Sequence, residues 1–273
     1  MDFLARSKWK VHLKHTVTSA PFSSSARRIF LVGHNSKGSG EILDKVLRTF
    51  QDCEVMVAVT GGVFYRRNLL QSLLKLFAQA SWGFVILRAL DFLRLEPARL
   101  VNVCKRSGTI YFHTKDINST ASIARVREFN PDILASTFTM HILGEEIISL
   151  SNLKTIGVHP SILPSYRGLE VFFWMMANGE TEGGTSCYEL IPRVDAGKVL
   201  LQETWVINQP DTVHAVYDRL TESCAKVLCA VIERTLSGKG VEFSQTMGVT
   251  ESYFPMPTRA AMKNFRSRGH RWM

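Results

Sequence analysis

The chain of 273 residues is 45% apolar and 21% charged, a composition that indicates a globular protein with a substantial core. Its net charge of +9 resides at the two ends, because residues 1–28 and 259–273 are rich in Lys and Arg while the body between them is close to neutral. This distribution argues against a central domain that binds nucleic acid over a broad face.

The basic ends suggest a division of the chain into three parts. We expect a basic N-terminal arm over residues 1–26, one large domain over residues 27–240 and a short basic extension over residues 241–273. The arm is compatible with a transit peptide but lacks the apolar core of a secretory signal. Both ends either make weak contact with a membrane, RNA or an acidic partner, or are simply solvated.

The cysteine pattern predicts neither disulfides nor a metal site. The five cysteines are odd in number and have no Cys-x-x-Cys spacing; they are Cys53, Cys104, Cys187, Cys224 and Cys229. Reduced thiols are the simplest explanation, and they indicate a cytoplasmic protein.

The first predicted elements are a buried strand over Arg28–Val32, a glycine-rich turn over residues 33–40, a helix ending at Phe50 and a strand over Glu54–Thr60. The turn has three glycines but matches neither the phosphate-binding loop nor a dinucleotide fingerprint. A plain strand-to-helix connection therefore explains it better than a phosphate site.

An unusually apolar segment follows at residues 66–95. Lys75, Arg88, Asp91 and Arg94 interrupt it, so its apolar runs are too short to span a membrane. We expect a helix that is buried or that faces a second subunit, as in a homodimer, and a helix lying on a membrane surface is the alternative.

The rest of the chain alternates between strand and helix patterns. Strands are expected at Thr109–Phe112, Asp132–Thr137, Leu153–Val158, Thr185–Ile191 and Val199–Ile207. Helices are expected from a cap at Asn118–Thr120 to Phe129, and at Gly144–Leu150, Glu170–Asn178 and Thr212–Leu236. The order predicts an α/β fold, a Rossmann-like doubly wound and mostly parallel sheet with helices on both faces.

Two titratable residues occupy positions suited to proton transfer. His159 stands at the C-terminal end of the strand Leu153–Val158, before a Pro-rich turn, and Asp195 lies in a later loop ahead of Gly197. Open α/β sheets place ligands at the carboxyl ends of their strands. The pair is therefore a candidate for general acid–base catalysis. The alternative is that His159 is a core histidine and Asp195 an ordinary turn residue.

The residues around this pair resemble the folate-dependent formyltransferases. The family pattern is roughly Asn-x-His-x-Ser-Leu-Leu-Pro-x-x-Arg/Lys-Gly, followed later by Asp-x-Gly. The chain matches it at His159, Ser161, Leu163, Pro164, Arg167, Gly168, Asp195 and Gly197. Asn130–Leu134 and Met140–Leu143 are similar to the family's strand and folate-contacting turn. The resemblance is good over residues 107–210 and loose over residues 28–104.

The resemblance implies transfer of a formyl group from the cosubstrate 10-formyltetrahydrofolate to a primary amine, with the formyltransferase type of fold. It implies catalytic roles for His159 and Asp195. The residues it implies for folate binding are Met140, His141, Ile142, Leu143, Ile191 and Val194, and those for the substrate are Ser161, Arg167 and Gly168. Core packing explains Ile142 and Leu143 equally well, a turn cap explains Ser161, and a solvated charge or an ion pair explains Arg167.

One position departs from the family pattern. Where the family has an Asn that holds the formyl oxygen, this chain has Gly157. Loss of such a donor typically costs about 2.7–4 kcal/mol of transition-state stabilisation. Either another donor replaces it, with Thr137, Thr139 and His141 as candidates, or the chemistry is impaired, or the glycine makes room for a bulkier substrate.

Three functions follow as hypotheses. The end segment is too short for the second barrel domain of the tRNA-modifying members, and Glu251–Arg259 resembles the tails of amino-sugar members, so a small-molecule or sugar amine is the expected acceptor. The alternatives are a hydrolase of 10-formyltetrahydrofolate and a degenerate binding protein disabled by Gly157.

Overall fold

The computed structural model describes residues 26–61, 82–93, 97–209, 211–240 and 250–273. Three predicted features lie wholly or partly outside these residues. They are the N-terminal arm except Ala26, residues 66–81 and 94–95 of the apolar segment, and the first nine residues of the C-terminal extension.

Seven strands form one sheet in the order β3-β2-β1-β4-β5-β7-β8. They are β1 Arg28–His34, β2 Glu54–Thr60, β3 Ile110–Thr114, β4 Ile133–Thr137, β5 Lys154–His159, β7 Glu182–Glu189 and β8 Val199–Val206. The five strands from β3 to β5 in this order are parallel, whereas β7 and β8 join antiparallel at one edge. The mostly parallel sheet predicted from the sequence is confirmed.

Eight helices are described. They are α1 Lys37–Thr49, α2 Trp82–Leu93, α3 Leu100–Ser107, α4 Thr120–Phe129, α5 Glu145–Ile148, α6 Val171–Asn178, α7 Val213–Leu236 and α8 Arg259–Ser267. Hydroxyl side chains begin several of them, since Ser36, Ser119 and Thr212 each accept a hydrogen bond from a backbone N–H of the first turn. None of the described helices is both long and apolar enough to cross a membrane.

The helices cover both faces of the sheet, as predicted. On one face, Ile29, Leu31 and Ile156 pack with residues of α1, α3, α6 and α7. On the other, Phe30 and Val32 pack with residues of α4 and α5. Alternate residues of β1 therefore face opposite clusters, which is why Ile29–Val32 is apolar without interruption.

Strand order determines where a ligand site can form. The chain runs from β1 through β2 to β3 on one side and then returns to place β4 on the other side of β1. Such a reversal opens a crevice at the carboxyl ends of the strands. His34, Thr137 and His159 end β1, β4 and β5 at this edge.

Helix α2 is the described part of the apolar segment, and it is only partly buried. Phe84 is 1% exposed and packs edge to face on Phe173 and Trp272. Trp82, Ile86 and Leu90 are about half exposed on another side of the helix. The helix is thus buried on one side only, and its contact with a second subunit stays a prediction.

Residues 250–273 pack against the main domain. The short strand β9 Tyr253–Phe254 pairs with β6 Arg167–Gly168, and Phe265 of α8 stacks on Phe173 of α6. The basic residues Arg259, Lys263 and Arg266 remain exposed. The domain boundary at residue 240 stays a prediction, but the segment beyond it supplies part of the same core.

Gly40 provides a test of how α1 is packed. A Cβ at this position would lie 1.7 Å from the carbonyl oxygen of Ala98. Because backbone must move to relieve this overlap, Gly40→Ala should lower the free energy of unfolding by about 1–3 kcal/mol, despite the better helix propensity of alanine. Chemical denaturation measures the loss.

Gly240→Ala is the matched control, since nothing lies within 4 Å of the corresponding Cβ. Equal stability of the two variants would contradict the close approach of α1 to the segment before α3.

Candidate active site

Strand β5 delivers His159 to the carboxyl edge of the sheet. Ile156 and Val158 belong to the core on one face, so Gly157 and His159 point to the other face by the alternation of strand residues. The strand ends in a turn in which the N–H of Ser161 donates to the carbonyl of His159. His159 is 6% exposed, so its imidazole is largely withdrawn from solvent.

The structure brings His159 and Asp195 together. Nδ1 of His159 lies 3.5 Å from Oδ2 of Asp195, and the two side chains are 8% and 12% exposed. Nε2 of His159 lies 2.8 Å from the carbonyl oxygen of Tyr166. Both ring nitrogens thus face acceptors, and only a doubly protonated imidazole can donate to both.

Asp195 is held in one orientation by several donors. The N–H of Gly168 donates to Oδ2 over 3.1 Å, and the hydroxyl of Tyr188 donates to Oδ1 over 2.8 Å. Asp195 itself has a left-handed backbone with φ of 47°. The loop therefore presents the carboxylate to His159 in a fixed and strained geometry.

Left-handed backbone recurs in the segments that follow β4 and β5. Phe138, Tyr166 and Glu170 also have positive φ, at 44°, 54° and 51°. Phe138 follows β4, Tyr166 contacts His159 through its carbonyl, and Glu170 is the N-cap of α6. A bulky residue with positive φ costs of order 1–3 kcal/mol, and such residues cluster at functional sites.

The three predicted substrate residues make internal contacts. Ser161 is fully buried and its Oγ donates to the carbonyl of Ser165, so it does cap the turn. Arg167 pairs with Glu251 and donates to the carbonyl of Val194. Gly168 donates to Asp195 as described. These residues join the Pro-rich turn to the Asp195 loop, and their contact with a substrate stays a prediction.

The predicted folate residues divide into exposed and buried ones. Ile142, Ile191 and Val194 are 49%, 41% and 36% exposed. Leu143 is buried in the cluster with α4 and α5, and Leu190 packs on the same cluster from the Asp195 side. The two predicted folate segments therefore flank one cluster, with apolar side chains left open to a ligand.

His141 faces inward rather than toward a ligand. Its Nδ1 lies 3.4 Å from the N–H of Ile117 and its Nε2 3.3 Å from the carbonyl of Gly61. A neutral ring with a proton on Nε2 satisfies both contacts. Burial lowers the pKa of His141, while the Gly61 carbonyl opposes this effect.

The side chains considered as substitutes for the family Asn have other partners. Thr137 Oγ1 donates to the carbonyl of Val32, and Thr139 Oγ1 bonds Thr60 and accepts from the N–H of His141. With the inward-facing ring of His141, all three side chains have partners in neighbouring elements. The atoms nearest to a Cβ at position 157 belong instead to Leu190 and Tyr188.

Sequence reasoning missed Tyr188. Gly157 and Tyr188 are directly paired across β5 and β7, and a Cβ at 157 would lie 3.0 Å from Cζ of Tyr188 and 2.8 Å from Leu190. The tyrosine ring thus fills the space next to Gly157. An antiparallel pairing of the predicted hairpin with the strand of His159 would have revealed it.

A cavity of about 370 Å³ opens beside Asp195. Its charged lining is mostly basic, and its ten lining residues are Leu163, Pro164, Arg167, Arg193, Asp195, Ala196, Gly197, Lys198, Val199 and Glu251. The volume is within the range of small-molecule sites. His159 and the predicted folate residues do not line this cavity.

Comparison with known proteins relates this geometry to one family. The family model described as formyl transferase matches residues 88–232. An N-formyltransferase from Helicobacter canadensis, solved in complex with folinic acid and dTDP-3-aminofucose, is 15% identical with a TM-score of 0.57, over 89% of this chain and 80% of that one.

Two further structures have similar folds. Phosphoribosylglycinamide formyltransferase from Bacillus halodurans is 14% identical with a TM-score of 0.58, over 80% of this chain and 100% of that one. WlaRD, a sugar 3N-formyl transferase solved with dTDP and 5-N-formyl-THF, is 15% identical with a TM-score of 0.54, over 84% and 69%. At these identities the likeness to solved structures establishes the fold alone.

His141 predicts an acid sensitivity of folding. Because burial lowers its pKa below the reference value of 6.5, the unfolded chain takes up a proton that the folded chain resists. Proton uptake by His141 leaves the free energy of unfolding unchanged above about pH 6.5. It lowers that free energy as the pH falls below this value. His141→Gln keeps a donor and an acceptor without titrating, so it should lose less stability between about pH 6.5 and 5.

Denaturant unfolding at several pH values measures this slope. His113→Gln is the control, because His113 is exposed at the edge of the sheet and should leave the slope unchanged. A slope equal to wild type in His141→Gln would show that this imidazole does not couple to folding.

Proposed function

The chain belongs to the formyl transferase family, and on that premise we propose that it transfers a formyl group from 10-formyltetrahydrofolate to the primary amine of a small molecule or sugar. The observation that carries the proposal is the contact between His159 and Asp195 at the carboxyl edge of the sheet. Two distant segments supply one acid–base pair, largely shielded from water, at the position where open α/β sheets hold substrates.

The reaction needs two things from the protein. As the amine nitrogen attacks the formyl carbon, negative charge develops on the formyl oxygen, and the nitrogen must lose a proton before the bond from carbon to the folate nitrogen breaks. Doubly protonated His159 can donate to that oxygen when it exchanges its contact with the Tyr166 carbonyl. Asp195 stabilises the charged ring and fixes its orientation. It also helps a water molecule to accept the proton that the amine loses, and this proton passes to the folate nitrogen as its bond to carbon breaks.

The folate site is proposed from the open apolar residues. Ile142 lies in one segment, and Ile191 and Val194 lie in the other, with Leu143 and Leu190 packed on a common cluster beneath them. A flat heterocycle suits apolar walls combined with backbone donors and acceptors. His141 supports this site by holding the 140–143 segment from behind, through Ile117 and Gly61.

Sugar amines are the acceptor class to test first. The H. canadensis protein was solved with a nucleotide-linked amino sugar and WlaRD with dTDP. In this chain, Arg167, Arg193 and Lys198 line the cavity beside Asp195. Glu251 pairs with Arg167 and Arg193, but the three cations outnumber the two carboxylates of the lining, and this excess of positive charge is suited to an acceptor that carries a phosphate.

A second candidate is a binding protein of the same fold. The tyrosine ring beside Gly157 occupies the side of β5 that faces the pair. If no other group supports the formyl oxygen, the site would bind folate without turnover. Hydrolysis of the formyl group by water is the third outcome that the assay must separate.

The assay offers 10-formyltetrahydrofolate with a panel of amines that includes nucleotide-linked amino sugars. We expect formylated product from wild type, and a fall in kcat of about a hundredfold or more in His159→Ala and in Asp195→Asn. His113→Ala and Asp52→Asn, both exposed, are matched controls that should retain activity.

The competing outcomes differ in what accumulates. Formate release without an amine would select the hydrolase. Tight binding of 5-formyltetrahydrofolate, with neither product nor formate across the panel, would select the binding protein. Full activity in His159→Ala would overturn the assignment of the pair.

A further inference from the structure

We propose that Tyr188 is a positioning residue that acts through Asp195 and closes the space that Gly157 leaves beside the pair. This inference rests on the proposed function, which it deepens by naming a residue that fixes the carboxylate. It depends on three observations: the space that Gly157 leaves to the Tyr188 ring, the hydrogen bond from Tyr188 to Asp195, and the burial of the phenol.

The shared space follows from strand register. Gly157 and Tyr188 are directly opposite in the antiparallel pair of β5 and β7, and directly opposite side chains lie on the same face of the sheet. A Cβ at 157 would stand 3.0 Å and 3.1 Å from two ring carbons of Tyr188. The glycine therefore leaves room for the tyrosine ring.

The hydrogen bond fixes the carboxylate. Tyr188 donates to Oδ1 of Asp195, whereas the other oxygen, Oδ2, faces the N–H of Gly168 and Nδ1 of His159. With a donor on each oxygen, rotation of the carboxylate would break at least one contact. Tyr188 thus keeps Oδ2 directed at the imidazole.

Burial keeps the phenol in its donor form. Tyr188 is 7% exposed and packs with Leu163, Val199 and Leu190. Burial, followed by the charge of Asp195, raises the pKa of Tyr188 well above its usual value. The hydroxyl therefore remains a proton donor at neutral pH.

The kinetic test removes the hydroxyl and keeps the ring. Tyr188→Phe should lower kcat about tenfold or more, because a hydrogen bond to a charged group is lost. The KM for both substrates should stay near wild type because ring packing is unchanged, and the melting temperature should fall only by what one lost hydrogen bond costs. Tyr111→Phe, at the far side of the sheet on β3, is the control.

A large fall in kcat with only a small fall in melting temperature distinguishes positioning of Asp195 from support of the fold. A merely structural role would lower the melting temperature and the yield of active protein but leave kcat per folded molecule at the wild-type value. Wild-type kcat per folded molecule in Tyr188→Phe would overturn the proposal.

A second measurement does not depend on activity. In a double-mutant cycle of Tyr188→Phe and Asp195→Ala, the free energy of unfolding is measured for each variant. Asp195→Ala should lower this free energy clearly less in the Tyr188→Phe background than in wild type. The strain of alanine at the left-handed backbone of Asp195 occurs in both variants that carry it and cancels from the cycle. Additive losses would show that the hydroxyl does not hold the carboxylate.

A second double-mutant cycle tests the contact between position 157 and the Tyr188 ring. Gly157→Ala should lower the melting temperature in the wild-type background, and the loss should shrink in a Tyr188→Val background. An equal loss in both backgrounds would overturn the role of the ring. If wild type proves inactive while both cycles show coupling, the proposed function fails and the placement of Tyr188 stands.

Discussion

The contacts of the Asp195 carboxylate are the constraint on which the site depends. One carboxylate accepts from the N–H of Gly168 and from Tyr188, and it faces the imidazole of His159. These groups come from β6, β7 and β5, so a single side chain joins three strands. The arrangement is stiff because the backbone of Asp195 is left-handed and both carboxylate oxygens have partners. A pair that must not reorganise during a reaction benefits from such stiffness.

Residues of the C-terminal segment 250–273 also stabilise this arrangement. Arg167 precedes Gly168 and binds both Glu251 and the carbonyl of Val194, next to Asp195. Pairing of β6 with β9 and stacking of Tyr166 on Phe254 then anchor the same turn. The turn whose Tyr166 carbonyl faces Nε2 of His159 is therefore held by residues more than eighty positions away.

Much of the fold follows from local sequence. The apolar runs of β1, β4 and β5 are continuous because both faces of these strands are covered, and Ser119 caps α4 where a cap was expected. The meeting of His159 and Asp195 was expected from the resemblance and from strand ends. What the sequence could not show is register. That Tyr188 lies opposite Gly157, and that His141 faces inward, depend on pairing and loop geometry across the fold.

The substitute donors considered from the sequence illustrate the same limit. Thr137 and Thr139 stand at the carboxyl edge of the sheet, yet their hydroxyls bond to Val32 of β1 and to Thr60 of β2. Proximity to the edge follows from strand order, whereas the direction of a side chain depends on every neighbour that can bond to it.

The close approach of residue 157 to Tyr188 and Leu190 constrains how this chain can change over evolutionary time. A side chain added at position 157 would crowd both Leu190 and the ring of Tyr188. Positions 157 and 188 are therefore epistatic: a larger residue at 157 is better tolerated once the residue at 188 has become smaller.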